Sequence, residues 1–93
     1  MKFIVNDKIY DTEKAKKVLD YRRRFPLTLT PQFCIRYDME LFRTAKGNWF
    51  SVRHEDYGKV TCITHTVEEA KEIFKKCNRV ELYAQYFGNL EEA

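Results

Sequence analysis

Six cations fall within eleven residues in the amino-terminal half of this 93-residue chain: Lys14, Lys16, Lys17, Arg22, Arg23 and Arg24. Guanidinium groups offer paired donors that match the oxygens of phosphates and carboxylates, so three consecutive arginines are suited to gripping an anionic partner. Pro26 follows closely, and its fixed φ restrains the path by which the chain leaves them. The plainer reading of such a run is a solvated helix end whose cations compensate the helix dipole. These six residues are the candidate partner-binding set.

Other chemistry finds less support. Cys34, Cys62, Cys77, His54 and His65 are the soft metal ligands available, and Cys62-Ile63-Thr64-His65 has a two-residue gap. On a strand, however, residues three apart point to opposite faces, and no second pair completes a zinc set. No nucleophile elbow, HExxH or triad context surrounds these residues, so no catalytic residue is assigned. Gly47, Gly58 and Gly88 belong to no phosphate-cradling loop, and no cofactor is expected. Lys46 to Val52 resembles the aromatic strand of an RNA-recognition domain but departs from it at Asn48 and in element order, which favours a core role for the rings.

Composition narrows the class. Apolar residues make up 44% and aromatics 15%, enough for a chain of this length to build one core, and residues 1–93 are expected to form a single domain. Three irregularly spaced cysteines argue for free thiols rather than a disulfide framework. No apolar run approaches the roughly 20 residues of a membrane span, and the amino terminus turns charged too soon for a signal peptide, so a cytoplasmic location is expected. Residues 1–46 carry eleven Lys/Arg against six Asp/Glu, while residues 47–93 carry six against eight. That polarity suits electrostatic contact with a partner.

The elements that must position the cations follow from periodicity. Phe3-Ile4-Val5, the turn-forming Asn6-Asp7-Lys8, and Ile9-Tyr10 predict a short hairpin. Asp11 can cap a helix with Tyr10 and Ala15 as a staple. Ala15, Val18 and Leu19 would share its inner face, which predicts a helix over roughly residues 11–22 carrying the basic run. Pro26 and Pro31 bracket a loop or edge segment. Phe33, Ile35, Tyr37, Met39 and Leu41 alternate with polar residues, Trp49 to Arg53 returns antiparallel, and Val60 to Thr64 is β-branched, giving a three-stranded meander. Thr66-Val67-Glu68-Glu69 has capping-box spacing before Ala70, Ile73, Phe74 and Cys77, and Val80, Tyr83, Ala84 and Phe87 predict a last helix ending at Gly88. The fold class is α+β, with both carboxyl-terminal helices packed on the sheet, and Ile35, Tyr37, Met39 and Leu41 are expected to face Ala70, Ile73 and Phe74.

The segments Ile9 to Ala15, Leu41 to Phe50 and Tyr86 to Ala93 resemble small accessory proteins of phages, plasmids and integrative elements of Gram-positive bacteria, some of which are anti-CRISPR inhibitors. The resemblance implies a stoichiometric inhibitor that binds a CRISPR effector nuclease or its guide complex. The alternative is a small nucleic-acid-binding regulator of a mobile element. Its partner would be a protein or ribonucleoprotein effector, with nucleic-acid contact through the basic stretch, in a bacterial cytoplasm. Such an inhibitor would not act as an acidic DNA mimic, because the chain carries a net charge of +3.

Overall fold

A computed structural model describes all 93 residues. Strands β1 (Lys2–Val5) and β2 (Lys8–Asp11) pair antiparallel as the expected hairpin, with Asn6 and Asp7 both at positive φ in the connecting turn. Two such residues give the turn a twist that matches the strands, and Asn and Asp tolerate the conformation. The main sheet is an antiparallel meander of β3 (Lys16–Pro26), β4 (Cys34–Arg43), β5 (Trp49–His54) and β6 (Val60–His65). Helices α1 (Val67–Lys76) and α2 (Val80–Phe87) complete the chain.

The principal correction to the sequence reading is β3. Residues 16–22 are strand, not helix, so the meander has four strands rather than three. Asp11 does start a turn: its carboxylate accepts from the Glu13 N–H at 3.0 Å and its carbonyl from the Ala15 N–H at 3.0 Å. That turn is not continued. From Lys16 the chain pairs with β4, and a β-bulge at Val18 interrupts the register between Lys17 and Leu19. The bulge brings the adjacent Val18 and Leu19 both toward the core, a spacing that imitates a helical stripe. Beyond it, Leu19, Tyr21, Arg23 and Phe25 alternate cleanly along one face.

Both faces of the sheet are covered near its middle. On one, Leu19, Leu41 and Trp49 pack with Ala70, Ile73, Phe74 and Tyr83 of the helices. Trp49 meets Phe74 edge-on at 5.6 Å and Tyr86 at 5.3 Å. On the other, Phe42, Phe50 and Val52 pack under Tyr10 of the hairpin, Phe42 stacking on Phe50 at 5.1 Å. Trp49 and Phe50 are thus core residues on opposite faces and present no stacking platform. The Thr66 capping box forms as expected, with Glu69 N–H donating to Thr66 Oγ1 at 3.2 Å and Thr66 N–H to Glu69 Oε1 at 2.9 Å. Asn78 and Gly88 take positive φ where α1 and α2 stop.

The covering layers leave one end of the sheet bare. β5 pairs with β4 only from Asp38 to Arg43, so beyond that point β3 and β4 continue alone as a two-stranded ribbon closed by residues 27–33. Ile35 and Tyr37, expected against α1, lie out on this ribbon. Of the predicted set only Leu41 joins the cluster around Ala70, Ile73 and Phe74. The ribbon stretches the molecule to 42 × 32 × 20 Å, with a radius of gyration of 14.3 Å. A chain of this length folded as a compact ball would have about 12 Å.

Candidate functional site

Strand geometry divides the six candidate cations. Lys14 lies in the turn before β3 and Lys16 pairs with Arg43. All three line a shallow cleft of about 290 Å³ beside Tyr86. Lys17 is neutralised where it stands, 3.0 Å from Asp20 and 3.3 Å from Glu40, and its hydrogen bond to Asp20 raises its pKa. Eight residues of strand, roughly 26 Å, separate Lys16 from Arg24, so the run is not one patch. Only its arginine end reaches the bare ribbon.

There the arginines alternate between faces. Arg22 and Arg24 lie on the hairpin-side face and Arg23 on the helix-side face. Arg22 pairs with Asp38 across the ribbon at 3.2 Å, both groups being largely exposed, so the bridge adds little stability. Arg24 stands directly opposite Arg36, and neither has an acidic partner within 4.0 Å. Like charges opposite one another on a ribbon are destabilising. Arg23 makes no ion pair within 4.0 Å, but its guanidinium lies 5.0 Å from the Phe25 ring centroid and it lines a cleft beside α1 with His65, Glu69 and Glu72.

The root of the ribbon is stiffened from β5. Arg53 stacks over Phe25 at 4.7 Å and Tyr37 at 5.4 Å, rings that themselves meet at 5.8 Å. Its guanidinium donates to Glu55 at 3.2 Å, and Glu55 also accepts from the Thr61 hydroxyl at 2.7 Å. The Thr61 hydrogen bond, with Arg53 and Lys59 assisting, holds the Glu55 carboxyl below its usual range. Cation and rings are each other's partners, which holds the ribbon's base to the sheet.

The tip is apolar and open. Leu29 is 94% and Phe33 61% exposed, Leu27 is partly exposed, and Pro26 and Pro31 flank the turn. Leu27 N–H donates to the Phe33 carbonyl at 3.0 Å and Phe33 N–H to the Thr30 carbonyl at 2.9 Å, so the loop has its own internal frame. The candidate set read from the sequence did not include Arg36, Arg53 or this tip. Alternation in β4 would have put Arg36 outward, but its juxtaposition with Arg24 appears only once β3 is a strand.

A second polar group lies between sheet and α1. Tyr21 Oη and Ser51 Oγ are 2.6 Å apart, as are Ser51 Oγ and His65 Nε2. The phenol is the better donor and the ring nitrogen the better acceptor, which directs the chain from Tyr21 through Ser51 to His65 and puts the imidazole proton on Nδ1. That nitrogen is buried without a partner. Burial lowers the His65 pKa and raises that of Tyr21. Ser51 is fully buried, so its hydroxyl is closed to solvent. Cys62 packs instead beneath the hairpin, where burial pushes its thiol up to about 11, on the face opposite His65.

Comparison with protein-family models, with curated proteins and with solved structures finds no match.

Proposed function

We propose that the protein is a stoichiometric, non-catalytic binder of a nucleic acid, and that the β3–β4 ribbon is its contact surface. The observation that carries this reading is the opposed, unneutralised pair Arg24 and Arg36. An arrangement that opposes folding and satisfies no group within the molecule is suited to an external polyanion, and the paired donors of guanidinium fit phosphate oxygens. The helix glutamates offer less to a cationic partner. Glu69 closes the capping box, while Glu68 and Glu72 meet Lys71 and Lys75 one turn on.

Fluorescence anisotropy with labelled 30-residue DNA and RNA tests the reading. Affinity should fall linearly with salt on logarithmic axes, and reversing Arg24 and Arg36 to Glu should flatten the slope by about two, one for each lost phosphate contact. Absence of binding at low salt, with the fold intact, would overturn it.

A second reading uses the same surface. A CRISPR effector loaded with guide exposes RNA phosphates, and the resemblance to accessory proteins of mobile elements supports an anti-CRISPR-type inhibitor that grips such a complex. Near-stoichiometric protein should then reduce target cleavage. Inhibition only when it is added before guide RNA would point to assembly, and inhibition afterwards to target recognition.

A further inference from the structure

Resting on the nucleic-acid reading, we propose that the ribbon enters the major groove of duplex DNA, with arginines at the groove rim and the Leu29 and Phe33 tip on the thymine methyl groups of its floor. The ribbon is a charged shaft with an uncharged end. Arg23, Arg24 and Arg36 lie along its paired part, with Arg22 bridged to Asp38 at its root, whereas residues 25–35 contain no charged side chain. From Arg24 to Pro26 the strand advances about 7 Å, and the loop extends further. The major groove is about 8.5 Å deep and 12 Å wide, and it admits a two-stranded ribbon. The strand and loop together exceed that depth, so a tip resting on the bases holds the Arg24 and Arg36 backbone above the rim, from which their long side chains reach the phosphates.

The chemistry at each depth agrees. Phosphates line the rim, and Arg24 and Arg36, side by side on one face of the ribbon, are placed to meet one wall. On the floor of the major groove the apolar feature is the thymine C5-methyl group, and Leu and Phe are apolar partners for it. The minor groove is about 6 Å wide and presents no methyl group. Duplex RNA has a major groove too deep and narrow for side chains to read. A single strand calls for a series of exposed ring faces on which successive bases can stack, whereas on the ribbon Phe25 and Tyr37 are capped by Arg53 and only Phe33 is left open. The observations thus favour duplex DNA among nucleic acids.

Anisotropy with the full chain and a 30-base-pair duplex containing runs of A·T pairs provides the test. The same duplex carrying deoxyuridine for thymine should bind more weakly, by roughly fourfold for each methyl group buried. Leu29→Ala with Phe33→Ala should weaken binding to the thymine duplex while leaving the uracil duplex unchanged, so that the two become equal. Duplex RNA and single-stranded DNA should bind more weakly than either. The tip side chains are exposed, and a thermal melt superimposing on that of the parent would confirm that these variants fold. Failure to bind any nucleic acid would overturn both the function and this inference. Arginine-dependent binding that ignores the methyl group, or prefers RNA or a single strand, would overturn the groove assignment alone. Retained DNA binding with loss of an unrelated protein partner in the tip variant would assign the tip to protein contact and also overturn it.

Discussion

At one end of β4, Leu41 and Phe42 are closed between helices and hairpin; at the other, Ile35 and Arg36 run on with no third strand beside them and outside both core clusters. The same strand thus serves two regions under different rules. In the body, aromatic rings pack ring against ring, and Tyr21, Ser51 and His65 are hydrogen-bonded in series. In the ribbon, rings are capped by guanidinium groups, like charges face each other, and large apolar side chains stand in solvent. Stability belongs to the first region. The second retains features that stability alone would remove, and that contrast is the ground for the proposed contact surface.

The contrast is broken most forcefully from the body. Phe74 is buried among Trp49, Tyr83, Tyr86 and Phe87, so Phe74→Ala removes a ring from the center of the aromatic cluster. It should lower unfolding free energy by about 3–5 kcal/mol in urea titration. Truncating Leu29 and Phe33 together should change it by less than about 0.5 kcal/mol, as expected of surface positions. A tip truncation that destabilised the protein as much as Phe74→Ala would place the tip in the folded core and dissolve the distinction.

Charge sharpens it further. Replacing Arg36 with Thr removes one member of an opposed pair and substitutes a β-branched residue suited to a strand. The expected outcome is a small rise in the midpoint of thermal unfolding together with weaker, less salt-sensitive nucleic-acid binding. A clear fall in midpoint would mean that Arg36 supports the ribbon internally, and the case for an external anion would lose its main observation.

Much of the body was legible in the sequence and little of the ribbon was. The hairpin, β4 to β6, and both helices follow from local alternation, turn residues and caps, because each buries a face at its own period. β3 does not, since the bulge at Val18 breaks alternation at the point where Asp11 and Ala15 suggest a helix. Its strand state depends on pairing with β4, a tertiary effect that local propensity cannot report. The arginines were visible as residues, but their division between faces required that pairing. Lys14, Lys16 and Lys17 belonged with them in sequence and lie away from them in space.

The smallest effect expected is one of acidity within the body, and its sign separates the two regions again. Burial, the largest influence on His65, lowers its pKa from an ordinary value of 6.5, with Arg23 adding to the shift and Glu69 opposing it. The folded state therefore binds the His65 proton less readily than the unfolded state does. Between the two pKa values the unfolded chain holds more protons, so stability rises with pH; below the folded value the contribution is lost. Glu69 and Glu55 behave in the same direction, but their folded pKa values lie below 4.5, so their loss begins at lower pH. The protein should accordingly weaken in two stages on acidification, first as pH falls below about 6.5 and again below about 4.5. His65→Gln keeps a polar side chain near Ser51 without a titrating ring, and it should abolish the first stage while sparing the second. Urea midpoints measured from pH 8 to pH 3 would show this. A first stage that survived in the variant, or that vanished in an Arg24 and Arg36 variant instead, would assign it to the ribbon and contradict the burial of His65 as its cause.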